Sequence, residues 1–388
     1  MGRVNDTFIF ARRIVTPEEE REDGWIRIRD GRIEEMGAGT PRPNQQVYRG
    51  SCLIPGMIDL HSNGVGGCDA AEGTASALEI ISRTLPRYGA TGFLATIITN
   101  QKSRLLESLR ALASLMDRPF TGARALGIHL EGPFISPHRP GVHPADCLQR
   151  PSPELFQEYY RASRGWMKML TLAPEVPGAL AIIPEARQLL PIVSLGHTDA
   201  DYASAARAIE AGANLATHVF NAMGPLRHRT PGILAAVLNS DIFAAVIADG
   251  IHVHPAIVQL LVRCKGLDRI ILVTDQISAA GMPDGPYRIG SLEVHLSEGV
   301  CRGPGGKLAG SILQMSDGLS NLNGWLPGRA LRKIVATATL QPAQLLGLER
   351  KGRIRPGNDA DLVLLDEDLK VLQTWVEGEL VYDSEAGG

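Results

Sequence analysis

An excess of charge of either sign is missing from this 388-residue chain: 39 Lys and Arg face 42 Asp and Glu, a formal net charge of −3. That balance offers no broad basic field, so neither nucleic acid nor an anionic membrane is expected as a partner. Long apolar runs are absent too. No stretch approaches the roughly 18 residues that span a bilayer, and no early basic-then-apolar segment ends in a small-residue cleavage site, so a cytoplasmic location is expected. Cysteine is scarce: Cys52, Cys68, Cys147, Cys264 and Cys301 are odd in number, scattered and without a C-x-x-C pair, as befits a reducing compartment. Cys68 reads as a small buried thiol rather than a ligand. Phosphate-loop and dinucleotide fingerprints are lacking, because Gly64, Gly66, Gly67 and Gly303-Pro304-Gly305-Gly306 have neither the strand nor the helix such motifs need. They read as turns.

What is present is the composition of a globular protein, 44% apolar and 21% charged. The length accommodates a (β/α)8 barrel of about 250 residues with a smaller appendage. Near the start, Thr7-Phe8-Ile9-Phe10, Trp25-Ile26-Arg27-Ile28-Arg29 and Arg32-Ile33-Glu34-Glu35-Met36 alternate apolar and polar residues around the hairpin signal Asp30-Gly31. Ala360 to Leu365 and Gln373 to Tyr382 repeat that grammar at the other end. Both ends are expected to share one small β-sandwich domain, from 1–56 and 346–388, flanking a barrel over 57–345.

Within that span, eight apolar runs read as buried parallel strands: Met57 to His61, Gly92 to Thr96, Leu126 to Glu131, Met169 to Ala173, Ile192 to Leu195, Asn214 to His218, Phe243 to Ala248 and Ile270 to Asp275. Helices are expected over Ala75 to Leu85, Gln101 to Met116, Tyr202 to Ala211 and Pro255 to Cys264. The architecture is therefore α/β, a TIM-like barrel, whose chemistry sits where the strands run out at the C-terminal rim.

Three of those strand ends carry ligand-type residues. Glu131, His197 and His218 form a carboxylate and two imidazoles, a set that holds one divalent ion, zinc by preference, while leaving a position for water. Iron, manganese and cobalt suit the same donors. Asp275 ends the eighth run and is expected to move protons to and from that water, with helix capping as its alternative. His61 and Asn63 share one face of the first strand. His61 supports the ligands from behind, is a partial ligand of a second ion or is purely structural, and the Asn63 amide oxygen is a weak ligand. His143 and His252 lie on rim loops that reach a substrate. Arg227-His228-Arg229 is a compact basic cluster suited to an anion such as phosphate.

Taken together, Pro55-Gly56-Met57-Ile58-Asp59-Leu60-His61, His129-Leu130-Glu131-Gly132-Pro133-Phe134, Gly196-His197-Thr198, Thr217-His218-Val219-Phe220-Asn221-Ala222-Met223, Asp249-Gly250-Ile251-His252, Val273-Thr274-Asp275 and Leu308-Ala309-Gly310-Ser311 resemble the N-acetylglucosamine-6-phosphate deacetylases of the amidohydrolase superfamily. The resemblance runs over nearly the whole chain. It implies Glu131, His197 and His218 as metal ligands, Asp275 as catalytic acid and base, and His143 as a group polarising the acetamide. It further implies that Val142, Asn221, Ala222, Arg229, His252, Leu308, Ala309 and Gly310 bind an amino-sugar phosphate. Arg229 would enter the neighbouring subunit's site, making the protein a homodimer. Two departures stand out: Asn63 replaces a second histidine, and Gln276 puts a large amide after Asp275 where a small residue is usual. The galactosamine epimer of the substrate, opening of a cyclic amide, and a non-catalytic scaffold are the other readings.

Overall fold

A computed structural model describes residues 7–40 and 47–386 of the chain. Its strands, in order, begin with β1 (Thr7–Val15), β2 (Glu20–Arg29), β3 (Arg32–Ala38), β4 (Val47–Pro55), β5 (Met57–Ser62), β6 (Gly64–Val65) and β7 (Cys68–Asp69). They continue with β8 (Ala90–Ile98), β9 (Arg124–Glu131), β10 (Met167–Leu172), β11 (Ile192–Leu195), β12 (Leu215–Ala216), β13 (Phe243–Ile247) and β14 (Ile270–Val273). The last six are β15 (Gly285–Ile289), β16 (Leu292–Ser297), β17 (Val300–Arg302), β18 (Leu362–Leu365), β19 (Val371–Val376) and β20 (Glu379–Asp383).

Eight parallel strands, β5 and β8 to β14, form the barrel sheet in sequential order. Their apolar runs are legible because each strand is covered on both faces; all nine residues of β8 are buried. Along several strands an apolar residue is followed two positions later by a hydroxyl: Leu94 then Thr96, Met169 then Thr171, Ile192 then Ser194, Leu215 then Thr217. Positions two apart share a face. The apolar members join Ile271 and Val273 in one interior cluster, and above it the hydroxyls of Thr171, Ser194 and Thr217 bond to one another, with Thr96 linked through His129. The ligand-type side chains occupy the next layer up.

The helices Ala75–Thr84, Lys102–Ala113, Tyr202–Glu210 and Pro255–Lys265 lie close to their expected bounds. Two differences concern the rim. The sixth strand, expected to reach His218, is only Leu215–Ala216, because the chain turns at once and His218 adopts φ 25°. A three-stranded antiparallel sheet, β15 to β17, follows the eighth barrel strand, outside the elements expected from the sequence. Ile289, Val294, Leu296 and Cys301 from this sheet pack on Ile98, Ile277 and Ala309, with Val142 against them. The insert thereby presses the loop ahead of Ser311 onto the rim.

Both chain ends build one seven-stranded sheet, ordered β20-β19-β18-β4-β1-β2-β3. Asp30-Gly31 forms the two-residue turn between β2 and β3. A core of Ile9, Ile14, Ile26, Leu53, Leu362 and Trp375 backs the sheet. Val15, Ile54, Val363 and Leu365 of this sheet share an apolar core with Met57, Leu85 and Ala90 of the barrel, and an ionic chain lies beside it: Lys351 Nζ is 2.6 Å from the buried Asp361, which accepts from Glu377 N at 2.8 Å, and Glu377 takes Arg124 at the start of β9 at 2.8 Å. Removing Lys351 strands a buried carboxylate, a loss of about 3–5 kcal/mol. Lys351→Met should therefore lower Tm by several degrees, and Lys351→Met with Asp361→Asn should recover part of it; equal Tm for the two variants would contradict a buried pair.

Candidate active site

Three backbone turns bring the site together. His197, His218 and Asp275, each just past a barrel strand, have φ values of 49°, 25° and 51°. Left-handed backbone in non-glycine residues costs on the order of 1–3 kcal/mol each, and such strain concentrates where function needs a particular aim. Here it turns three side chains inward from strands that have already ended. No helix starts at Asp275, as the next helical turn is Pro304–Gly306 and the next α-helix Met315–Trp325, so the capping alternative fails.

Glu131 Oε1 lies 3.0 Å from His218 Nε2 and 3.2 Å from His197 Nε2, and the two nitrogens are 3.2 Å apart. Tetrahedral ligands about 2.0–2.1 Å from a zinc ion lie about 3.3 Å from one another, so this triangle of donors fits one ion. The hydrogen bonds agree. His197 Nδ1 donates to the Arg139 carbonyl at 3.1 Å, which leaves a lone pair on Nε2. His218 Nδ1 is buried without a partner. Burial would raise the Glu131 carboxyl, but the nearby His61, with the rings of His143, His197 and His218 facing it, holds it well below the usual carboxylate range.

His143 also falls within 4.8 Å of Glu131 and His197 and would make an alternative donor set. The surroundings of His143 favour His218 instead. His143 Nε2 is 3.6 Å from Glu131 Oε2, and its Nδ1 is engaged by the Thr99 hydroxyl at 2.7 Å and the Thr99 N–H at 3.3 Å. A backbone N–H can only donate, so Nδ1 accepts and the proton of the neutral ring sits on Nε2. His143 thus presents a donor, suited to an oxygen that gains negative charge. Gly132 makes this approach possible: at φ 77°, a Cβ there would stand 2.2 Å from Thr99 Oγ1.

On the opposite side, His61 Nε2 lies between the two carboxylates, 3.3 Å from Glu131 Oε2 and 3.1 Å from Asp275 Oδ1. The Asn63 amide donates to Asp275 Oδ1 at 2.9 Å. Burial pushes the Asp275 carboxyl up, yet the nearby His61 outweighs it and leaves the group below its usual value. Gln276 does not crowd this space: its side chain is buried and donates to Ser62 Oγ at 3.0 Å.

The loops expected to hold a substrate reach the same rim to different degrees. Asp249 Oδ2 binds His252 Nδ1 at 2.6 Å; burial opposes charge on that ring, but Asp249 prevails and raises it. Asn221 donates to the His218 carbonyl at 3.3 Å, and the Ala222 carbonyl accepts from Thr198 N at 3.0 Å. Leu308, Ala309 and Gly310 run up to Ser311, whose N–H binds the Asp275 carbonyl at 2.8 Å. Gly310, at φ 59°, passes where a Cβ would meet Ile277 at 2.4 Å. Val142, next to His143 in the chain, packs against the cluster that includes Ala309 of this loop. Arg229 stands apart. It is exposed and lines a cavity of about 490 Å³ with Arg139, Asp199 and Arg227, and none of Glu131, His143, His197, His218 or Asp275 lines it.

Several groups had no part in the sequence reading. His129 is fully buried under the cluster, bonded to Thr96 Oγ1 at 3.2 Å and Thr171 Oγ1 at 2.8 Å, with its ring edge-on to His61 at 4.7 Å. Burial, reinforced by His61, keeps that ring well below its usual value and neutral. Asp59 accepts from His61 N and from Thr274, and burial pushes its carboxyl up to about 6. The available signal was alternation: Asp59 and His129 each precede a singled-out residue by two positions in an apolar strand.

The sequence signature of the Amidohydrolase family matches residues 52–381. An N-acetylglucosamine-6-phosphate deacetylase of Bacillus subtilis (strain 168) is 37% identical, over 96% of each chain. An N-acetylgalactosamine-6-phosphate deacetylase of Escherichia coli O157:H7 is 35% identical, over 95% of this chain and 98% of that one. Among solved structures, a mutant N-acetyl-D-glucosamine-6-phosphate deacetylase from Mycobacterium smegmatis, in complex with N-acetyl-D-glucosamine-6-phosphate, superposes with a TM-score of 0.93 at 32% identity, over 97% of this chain and 99% of that one. Full-length similarity at this level, on the same barrel, means that the chain belongs to the amidohydrolase superfamily and within it to the N-acetylglucosamine-6-phosphate deacetylase family.

Proposed function

We propose that the protein hydrolyses the acetamide of N-acetylglucosamine 6-phosphate to glucosamine 6-phosphate and acetate, using one divalent ion held by Glu131, His197 and His218. The observation that carries this reading is the triangle of donor atoms with 3.0–3.2 Å edges, one oxygen and two nitrogens from three strand ends. When bound, the ion, zinc in our reading, supplies a Lewis acid that lowers the pKa of water from about 15.7 toward about 7. Asp275 accepts the proton released as the nucleophile forms, then returns it to the departing nitrogen. His143 donates from Nε2 to the acetamide oxygen as charge builds on it. His61 and Asn63 hold the Asp275 carboxylate from one side; His61 in this reading is a positioning group rather than a ligand of a second ion.

In the same reading Asn221, Ala222 and His252 hold the sugar phosphate, with Val142 and the Leu308 to Gly310 loop shaping its pocket. Arg229 supplies a guanidinium to the phosphate of the neighbouring subunit in a cytoplasmic homodimer, in keeping with its place outside this chain's own cluster. The barrel over 57–345 then carries all of the chemistry, and 1–56 with 346–388 form the supporting β domain, residues 1–6, 41–46 and 387–388 of it lying outside the described residues.

Turnover should be measured, on protein of known metal content, with N-acetylglucosamine 6-phosphate, its galactosamine epimer, unphosphorylated N-acetylglucosamine and dihydroorotate. Two charge-assisted hydrogen bonds to phosphate, each about 1.5–3 kcal/mol, predict kcat/KM at least about 10²-fold higher for the phosphorylated than for the free sugar. Equal rates with and without phosphate, or faster opening of dihydroorotate, would refute the substrate class. Preference for the epimer would reassign the sugar alone.

A further inference from the structure

The barrel sheet begins with β5 and ends with β14, and no ladder of strand pairs joins those two edges among the described residues. Backbone contact across the seam is limited to the rim, where Asp275 N donates to the His61 carbonyl at 2.9 Å and Asn63 N to the Gln276 carbonyl at 2.9 Å. Just below, a side chain does the joining. The fully buried Asp59 carboxylate accepts on Oδ1 from His61 N at 3.0 Å and Thr274 N at 3.3 Å, and on Oδ2 from the Thr274 hydroxyl at 2.5 Å. The same hydroxyl accepts from Gln276 N at 3.1 Å. Thr274 and Gln276, the two neighbours of Asp275, are therefore both fixed through one oxygen atom, and Ser311 clamps the strand end from the far side through its Oγ to the Thr274 carbonyl at 2.5 Å and its N–H to the Asp275 carbonyl at 2.8 Å.

We propose that Asp59 and Thr274 form a positioning pair that sets the aim of the Asp275 carboxylate relative to His61 across the barrel seam. Closing the sheet would need only backbone bonds, and burying an ionised carboxylate there is costly, so closure alone does not account for the charge. What the carboxylate adds is direction. Three donors accepted at fixed angles restrain both strand ends, and the left-handed turn at Asp275 is held from both flanks. His61 and Asp275 sit on opposite edges of the seam, where one backbone bond already joins them, and their 3.1 Å side-chain separation depends on a further group that grips both strands below it. Asp59 makes that grip.

This inference rests on Asp275 being the proton carrier. The test compares Thr274→Val, which deletes the hydroxyl at nearly constant size, with Thr274→Ser, which retains it, using N-acetylglucosamine 6-phosphate and measured metal content. A misaimed acid and base should lower kcat about 10- to 100-fold in the valine variant, with KM within about threefold and metal per subunit unchanged. The serine variant should regain most of kcat. Wild-type kcat in Thr274→Val, or a loss matched by lost metal and not rescued by serine, would overturn the pair. If the valine variant does not fold, Asp59→Asn takes its place, with the same split of kcat from KM expected and a wild-type kcat overturning it. Asp275→Asn run alongside separates the two levels: an active Asp275→Asn defeats the proton-carrier reading, whereas an inactive one beside a fully active Thr274→Val defeats the positioning pair alone.

Discussion

Asp275→Asn should lower kcat by about 10²–10⁴-fold while leaving metal content and substrate affinity close to those of the parent protein. The asparagine has the same shape and can still meet the Asn63 amide and His61, which lie 2.9 and 3.1 Å from Asp275 Oδ1. What it lacks is a site that takes a proton from water and yields it to a leaving amine. Because the carboxyl lies below its usual value, with His61 opposing the effect of burial, the base is already ionised at neutral pH and the variant loses a group in its working state. Equilibrium binding of N-acetylglucosamine 6-phosphate, metal analysis and single-turnover rates would together separate this loss from misfolding. A variant with parental kcat would remove Asp275 from the chemistry.

The barrel was legible because a strand buried on both faces must be apolar almost throughout, and β8, β10, β11 and β13 read that way. Glu131, His197, His218 and Asp275, which the fold brings together, stand out in the sequence because each breaks such a run at its end. Less visible was how the chain aims them. His218 does not sit on a strand at all, and the strained turn that orients it leaves no trace in a pattern of period two. Asp59 looked like one polar residue in a strand, yet its partner Thr274 is 215 positions away, and nothing short of the closed barrel shows that they meet. The protonation of His143 depends likewise on Thr99, 44 positions earlier, whose N–H decides which ring nitrogen carries hydrogen. The insert β15 to β17 escaped because its strands are short and half exposed, with apolar residues that pack on loops rather than on a layer of helices.

Glu131→Gln is expected to fail differently, and the contrast with Asp275→Asn identifies the ion's seat. Glu131 is the only carboxylate in the donor triangle, and its second oxygen faces His61 and His143, so one side chain anchors four imidazoles. An amide carries no charge and is a poor ligand for a transition metal, and its NH₂ would repel either an ion or the donor Nε2–H of His143. Metal per subunit should fall toward zero and kcat by at least about 10³-fold, the equivalent of about 4 kcal/mol of lost transition-state stabilisation. Heat gives a second readout that does not involve turnover. An ion that binds the folded but not the unfolded chain raises Tm with its concentration, so added zinc, iron, manganese or cobalt should stabilise the chelator-stripped parent and leave Glu131→Gln unmoved. Asp275→Asn, by the same measure, should still respond. If Glu131→Gln kept its full complement of metal and its thermal response, the ion would have to lie elsewhere among these histidines, and the three strand ends would not be its ligands.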